Sequence, residues 1–158
     1  KRQLVFGETG NTVSNNSVGS TQFGIYIGDN GDTVTANKVI GTQIFDGIDV
    51  CGNSNMVMSN VINSSSEAAI HLDDSCGGTG NSNTVKSNSI NEACAGILTG
   101  TGTSGNTTIP NTMFNVVNSV LAGDTCTTLQ TEGTDSKPAA RSAKRPRISP
   151  YPAKKTGS

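Results

Sequence analysis

Residues 11–18 read NTVSNNSV, and the same eight-residue pattern returns as DTVTANKV at 32–39, NMVMSNVI at 55–62 and NTVKSNSI at 83–90. A degraded copy, NTTIPNTM, occupies 106–113. The copies begin 21, 23, 28 and 23 residues apart. A repeat of this period indicates a chain of stacked supersecondary units, because one such unit cannot bury its apolar side alone.

A second short apolar run follows each of the first four copies: GIYI at 24–27, GIDV at 47–50, AIHL at 69–72 and GILT at 96–99. The runs are β-branched, two to four residues long and separated by Gly, Asn, Ser and Asp, which is typical of short strands and not of helices. Three short strands per repeat predict an all-β fold, a parallel β-helix of about five coils over residues 4–126.

The predicted coils place equivalent apolar residues above one another in four inward rows. The rows are Val13, Val34, Val57 and Val85; Val18, Val39, Ile62, Ile90 and Met113; Leu4, Ile25, Ile48, Ile70, Ile97 and Leu121; and Phe6, Ile27, Val50 and Leu72, ending in Thr99. Between the first two rows an asparagine recurs at Asn16, Asn37, Asn60, Asn88 and Asn111. Such a column predicts side-chain amides that bond to the coils above and below and to local backbone.

The first residues also belong to a repeat, since GETGNTV at 7–13 matches GDNGDTV at 28–34 and Leu4–Phe6 lies 21 residues before Ile25–Ile27. We therefore expect an N-terminally cut piece of a longer protein, or a chain once capped by a neighbouring domain. An open first coil exposes backbone and apolar groups. Self-association through residues 4–27 is the expected result.

Composition restricts the class of protein. Gly, Ser, Thr and Asn fill 74 of the 158 positions, hydrophobic residues make up 32% and charged residues 15%. A thick helical core is disfavoured, and the low charge argues against plain disorder. The chain contains no run of 18 apolar residues and no signal segment, so no membrane span is expected.

Charge divides the chain in two. Residues 1–136 carry all 12 acidic residues and four basic ones, a net charge of −8, whereas 137–158 carry seven basic residues and none acidic, a net charge of +7. We predict coils over 1–126, a linker over 127–136 and a disordered, Pro-containing basic tail over 137–158. The AKRPR motif at 143–147 resembles a basic nucleic-acid or nuclear-import patch. The alternatives are contact with an acidic polysaccharide or anionic surface, or a solvated end without function.

With these repeats the chain resembles the right-handed parallel β-helix repeat proteins, the broad group that includes pectate-lyase-like folds. The resemblance covers residues 1–126 and implies architecture. It does not imply one chemistry, because this scaffold carries lyases, hydrolases, epimerases, adhesins and inert spacers.

The four cysteines, Cys51, Cys76, Cys94 and Cys126, form no C-x-x-C pair, and one histidine makes no zinc pattern. They are either buried thiols or two disulfides, and the extracellular type of composition favours disulfides. Positions within the coils favour 51 with 76 and 94 with 126, although four cysteines allow three pairings.

One outward column holds the candidate site: Val5, Tyr26, Asp49, His71 and Leu98. Neighbouring coils are about 4.8 Å apart, so Asp49 and His71 are predicted to lie side by side. Asp73 faces the same way, Glu67 joins them if its strand extends that far back, and Asp74 lies in the adjoining glycine-rich loop.

Such a cluster suits general acid–base work by Asp49, His71 and Asp73, or ligand binding by all of these polar residues together with Tyr26. It predicts a pKa for His71 above its model value of about 6.5, and weak calcium binding at Asp73 and Asp74. The competing interpretation is a solvated polar ladder without function.

These features favour a secreted or cell-surface structural or adhesion module, non-catalytic as it stands, with weak contact to a polysaccharide or cell-surface glycan and no cofactor. The alternative is the C-terminal coils of a carbohydrate-active lyase, hydrolase or epimerase whose catalytic residues lie mainly outside this chain. Nucleic-acid binding through the basic tail ranks last.

Overall fold

The structure is a computed structural model that describes residues 9–127 and the strand at 3–5. The predicted tail over 137–158 lies outside the described residues, as does the predicted linker over 127–136 after its first residue. None of the described residues forms a helix that could cross a membrane.

The described part consists of twelve strands joined by turns, and all of the strand pairs are parallel. The strands are β1 (Gln3–Val5), β2 (Thr12–Ser14), β3 (Ser17–Gly19), β4 (Ile25–Ile27), β5 (Thr33–Thr35), β6 (Lys38–Thr42), β7 (Ile48–Val50), β8 (Met56–Met58), β9 (Val61–Leu72), β10 (Thr84–Lys86), β11 (Ser89–Thr99) and β12 (Thr112–Ala122).

Each strand pairs with its equivalent in the next coil, so the sheets run along the stack. One sheet has the order β2-β5-β8-β10. The larger sheet has the order β1-β4-β7-β9-β11-β12, and β3 and β6 join it through β9, which is long enough to pair with both β6 and β7. The predicted all-β parallel β-helix of about five coils is confirmed.

The core lies inside the coils and follows the predicted rows. Ile25, Ile48, Ile70 and Ile97 are consecutive register partners and are fully buried. The valine row pairs in the same way, from Val13 to Val85. Stacking equal side chains on equal strands removes each apolar row from water, which is the main stabilising term of such a thin core.

The predicted third row is wrong by one residue at both ends and the fourth at its N-terminal end, whereas Thr99 does pair with Leu72 as predicted. Leu4 pairs with Tyr26 and Val5 with Ile27, because the first coil has one residue more than the second between its β1-type and β2-type strands. Phe6 is therefore not the partner of Ile27. At the other end Val120, and not Leu121, pairs with Ile97. The register that pairs Ile90 with Met113 continues unchanged along β11 and β12.

Each coil turns at three corners, and nearly every corner holds a residue with positive φ. The three columns are Gly10, Gly31, Ser54, Ser82 and Gly105; Asn15, Ala36, Ser59 and Ser87; and Ser20, Gly41, Ser64, Glu92 and Asn115. Left-handed backbone is uncommon outside glycine, and the side chains that tolerate it are short and polar. This requirement explains why Gly, Ser and Asn separate the strands.

The predicted asparagine column follows the second corner and forms a continuous ladder. Asn60 accepts at Oδ1 from the backbone N–H of Asn37 at 3.0 Å, and its own amide donates to Val34 O at 2.9 Å and to Asn88 Oδ1 at 3.0 Å. A second ladder, which the sequence analysis did not identify, runs through the first residues of the repeats: Asn11, Asp32, Asn55, Asn83 and Asn106. Both ladders satisfy corner N–H groups that lack strand partners.

The cysteines form the two favoured disulfides. Cys51 bonds Cys76 with a Cα–Cα distance of 5.9 Å, and Cys94 bonds Cys126 with 5.8 Å. The second disulfide ties the segment after β12 to β11. There Cys94 and Cys126 pack with Ala68, Ala95 and Leu98 in a second small apolar cluster.

Candidate functional site

Asp49 and His71 are direct register partners on β7 and β9, as predicted. The column continues to Tyr26 in one direction and to Leu98 in the other. The residue at the N-terminal end of this column is Leu4, and not the predicted Val5, because of the one-residue shift of β1.

The column lies outside the main core, yet its polar members are buried. His71 is 0% exposed, and Asp49 and Asp73 are each 2% exposed. Glu67 is also buried, and β9 does extend back to it. The next member of the column after His71 is Leu98, which belongs to the second apolar cluster. Asp49, His71 and Asp73 therefore form a closed interior cluster beside that apolar one, and Glu67 belongs to neither of the groups that bring these acids together.

The closest partner of His71 is Asp46, which the sequence analysis missed. Asp46 Oδ2 lies 3.2 Å from His71 Nδ1, and Asp46 Oδ1 accepts from the backbone N–H of Ala68 at 3.1 Å. Asp46 comes from the loop between β6 and β7, where the period-2 pattern of the strands does not operate. Its one sequence signal is that it lies a single residue before Gly47, the first residue of the GIDV run.

The surroundings of His71 act on its pKa in opposite directions. Burial lowers the pKa because it penalises the charged imidazolium, but the hydrogen bond that His71 donates to Asp46 and the charges of Asp46, Asp49 and Asp73 raise it. The net result is a pKa of about 9, in the predicted direction. At neutral pH His71 is therefore an imidazolium among carboxylates. A protonated imidazole cannot accept a proton as a general base.

The Cys51–Cys76 disulfide lies against the acids of the same cluster. Two groups of side chains bring possible ligand atoms within 4.8 Å of one another. One group is Asp49, Cys51, Asp73 and Cys76, and the other is Asp46, Asp49 and His71. Asp73 also accepts from the backbone N–H of Ser75 at 2.8 Å and from its hydroxyl at 2.9 Å. Asp74 belongs to neither group and is half-buried. Calcium binding at Asp73 and Asp74 stays a prediction.

Three aromatic residues lie on or just before β4 and β7. Phe23 and Phe45, from the loops before β4 and β7, stack with ring centroids 4.2 Å apart and planes 10° from parallel. The ring of Tyr26 lies over Gly28, where an added Cβ would lie 3.2 Å from Tyr26 Cε1. All three aromatic residues are half-buried. The phenylalanine pair was also missed, because both residues precede the strands and share no position with a predicted row.

Comparison with known proteins gives one family. No curated protein and no solved structure matches the chain. Residues 4–138 match the family model described as "Periplasmic copper-binding protein (NosD)", which represents a right-handed parallel β-helix family. This match covers most of the chain and agrees with the coil architecture found in the structure. The chain therefore belongs to the NosD family.

Proposed function

We propose that the chain is a non-catalytic β-helix module of the cell exterior, which contacts neutral glycans weakly through its aromatic side chains. One observation carries the proposal. The single histidine of the chain is fully buried and bonded to Asp46, so the only acid–base pair that the sequence suggested is part of the interior.

An enzyme of the alternative class needs an acid–base pair that a substrate can reach. Asp49 and His71 do not supply such a pair, because both are buried and His71 is protonated at neutral pH, so an enzyme of that class would take its catalytic residues from outside this chain. Their arrangement serves stability instead: an imidazolium neutralises carboxylates that burial would otherwise penalise.

Three features support an exterior location. The two disulfides suit an oxidising compartment. The family description contains the word periplasmic. The polar composition, with few aromatic residues and little charge, is also the secreted type on which the sequence analysis relied.

The glycan part of the proposal rests on Tyr26, Phe23 and Phe45. Phe23 and Phe45 stack on each other, Tyr26 lies on β4 in the candidate column, and all three rings retain partial exposure. Aromatic side chains with a polar rim are suited to ligands that combine an apolar face with hydroxyl groups. Residues 1–136 carry a net charge of −8, so a neutral glycan is favoured over one that carries carboxylates.

Copper is the ligand in the family description, but the donors in the described part of this chain do not fit it. Copper favours thiolate, thioether and neutral imidazole ligands. No described cysteine is free, and the one imidazole is protonated at neutral pH and bonded to Asp46. Met56 and Met58 lie on β8 in the smaller sheet, whereas Met113 packs against the main core from β12. We therefore derive no copper chemistry for this chain.

The test is a binding comparison between neutral and acidic polysaccharides, measured by affinity electrophoresis with the full chain. We expect neutral glycans to retard the protein and Tyr26→Ala and Phe45→Ala to abolish the retardation. His71→Gln, which keeps a polar side chain in the interior, serves as the control. The folded His71→Gln variant should retain glycan binding.

Failure of every neutral glycan to bind would overturn the glycan proposal. Retardation by acidic polysaccharides alone, lost at high salt, would assign binding to the basic residues of 137–158 instead. Hydrolysis or eliminative cleavage of any polysaccharide by the wild-type chain would overturn the non-catalytic assignment.

A further inference from the structure

The two disulfides differ in how far solvent reaches their sulfur atoms. Cys94 and Cys126 are both buried, with 2% and 7% exposure, and they pack in the second apolar cluster. In the other disulfide Cys51 is fully buried, but Cys76 is only half-buried. Disulfides that external thiols can reach are the ones that exchange, whereas enclosed ones persist as structural links. A thiol from solvent can thus approach one sulfur atom of the Cys51–Cys76 disulfide.

The loop between β9 and β10 leaves the approach to Cys76 open. The residues on either side of this cysteine, Ser75 and Gly77, are exposed. A Cβ added to Gly77 would meet no atom within 4 Å, and its φ of +105° is one that glycine adopts readily. Position 77 therefore places no side chain in the way of a thiol that approaches Cys76.

The buried sulfur atom of this disulfide lies beside a buried carboxylate. Asp49 Oδ1 is 3.9 Å from Cys51 Sγ, within the range of a hydrogen bond to sulfur, and Asp49 is 2% exposed. A thiol donates a weak hydrogen bond that a carboxylate oxygen accepts, whereas a disulfide has no hydrogen to donate. Once the S–S bond opens, Asp49 is in place to accept from the Cys51 thiol. This contact stabilises the reduced form relative to the disulfide.

The loops that the disulfide joins are also held together by hydrogen bonds. Gly80 donates its backbone N–H to Cys51 O at 2.9 Å. Asn53 Oδ1 accepts from Thr79 Oγ1 at 2.7 Å and from the backbone N–H of Asn81 at 2.8 Å. None of these bonds involves a sulfur atom, and they join the same two coils as the disulfide does. Opening the disulfide should therefore leave the stack folded.

We propose that the Cys51–Cys76 disulfide is a thiol–disulfide exchange site that accepts two electrons from an uncharged or cationic dithiol. The first thiolate of the dithiol attacks Cys76 Sγ, and the electron pair of the S–S bond goes to Cys51 Sγ. That sulfur takes up the proton that the first thiol released. The second thiol of the reductant then displaces Cys76 from the mixed disulfide and transfers its proton to it. The products are two cysteine thiols and one oxidised, cyclic dithiol.

The charges around the disulfide determine which thiols react. Asp49 and Asp73 place carboxylate oxygens within 4.8 Å of both sulfur atoms. Residues 1–136 also carry a net charge of −8. This potential repels an anionic reagent and attracts a cationic one, and salt weakens both effects. Among thiols of similar size, the cationic ones should therefore react fastest and the anionic ones slowest.

The test is reduction of the folded full chain by dithiothreitol, with free thiols alkylated by iodoacetamide and assigned by peptide mapping. We expect Cys51 and Cys76 to be alkylated about tenfold faster than Cys94 and Cys126, or more, with an unchanged circular dichroism spectrum. In concentrated urea the difference between the two disulfides should disappear, because unfolding exposes all four sulfur atoms. Equal rates in the folded chain, or earlier alkylation of Cys94 and Cys126, would overturn the proposal.

Monothiols test the direction of attack and the effect of charge. Mercaptoethylamine, mercaptoethanol and mercaptoethanesulfonate, which are cationic, neutral and anionic, should form mixed disulfides on Cys76 at rates that fall in that order. Mixed disulfides found mainly on Cys51 would contradict attack at the half-buried sulfur. Rates that do not depend on the charge of the thiol would contradict the selection of uncharged and cationic reagents.

Asp49→Asn tests the role of the neighbouring carboxylate. An amide oxygen accepts a hydrogen bond from a thiol more weakly than a carboxylate does, so the variant should hold a smaller reduced fraction in a fixed buffer of reduced and oxidised dithiothreitol. Glu92→Gln, at an exposed acid on β11, should leave the reduced fraction unchanged. A reduced fraction that Asp49→Asn does not change would show that this carboxylate does not stabilise the Cys51 thiol.

Discussion

The carboxylate of Asp46 lies 3.2 Å from Nδ1 of His71, although the two residues are 25 positions apart and belong to different coils. The contact joins a loop residue to a strand residue one coil further on. Neither side chain is exposed, so the pair fixes the position of the loop before β7 relative to β9.

The first prediction concerns pH. The pKa of His71 is raised from 6.5 to about 9 in the folded chain, so the imidazolium stabilises the fold fully below pH 6.5 and this stabilisation is lost as the pH rises through about 9. The linked free energy of unfolding is about 3 kcal/mol. Denaturation at several pH values should show the decline, and an NMR titration of the single histidine should give the pKa directly.

Asp46→Asn tests the cause of this shift. Removal of the nearest carboxylate leaves burial as the larger influence, so the pKa of His71 should fall and the loss of stability toward pH 9 should shrink. Asp124→Asn, at an exposed acid after β12, should leave the titration of His71 unchanged. A wild-type His71 pKa at or below 6.5 would contradict the interior ion cluster.

The second prediction concerns the inward isoleucine row. Ile70→Asp should unfold the stack, because an unpaired buried charge costs several kcal/mol and Ile70 is fully buried between Ile48 and Ile97. Ile44→Asp, at a half-exposed loop position, should leave the circular dichroism spectrum and the melting temperature almost unchanged. A folded Ile70→Asp chain would be incompatible with the row.

The third prediction concerns the asparagine ladder. Asn60→Ala removes bonds to Val34, Asn37 and Asn88 in a fully buried column and should lower the free energy of unfolding by about 2–4 kcal/mol. Asn16→Ala, at the half-buried first member, should cost clearly less. Urea denaturation measures both, and equal effects would show that the ladder does not act through burial.

The fourth prediction concerns the Cys94–Cys126 disulfide. Replacing both cysteines by serine should lower the free energy of unfolding by about 3–4 kcal/mol, because the unfolded chain loses a cross-link that restricts it. It should also weaken the packing of the segment around Cys126 against Leu98. Denaturation and hydrogen exchange of β11 measure the two effects. Non-reducing peptide mapping of the wild-type chain gives the pairing itself, and a Cys51–Cys94 peptide would contradict this structure.

The interior of the stack was predictable because each row is repeated four or five times. Val13, Val34, Val57 and Val85 are all in register, and so are the members of the predicted asparagine ladder. The rows failed where repetition stops. At Leu4 a single coil cannot reveal the extra residue in its turn, and at the other end Val120 takes the place of Leu121 because the offset between Ile90 and Met113 does not change.

The candidate site was predictable only in part. Period 2 placed Asp49 beside His71, but burial of the column depends on what packs against its outer face, which the repeat does not encode. Asp46 lies in the loop between β6 and β7, where side chains do not alternate between the two faces of a strand. Its contact with His71 therefore required the three-dimensional structure.

The uniform corners have a consequence for how such a chain changes length. Asn16 and Asn37, 21 residues apart, make the same exchange of bonds as each later pair in their column. A coil can therefore be lost or duplicated as a whole while the surfaces that meet at the join keep their complementarity. Each coil gained or lost in this way changes the length of the module by one inter-strand spacing of about 4.8 Å.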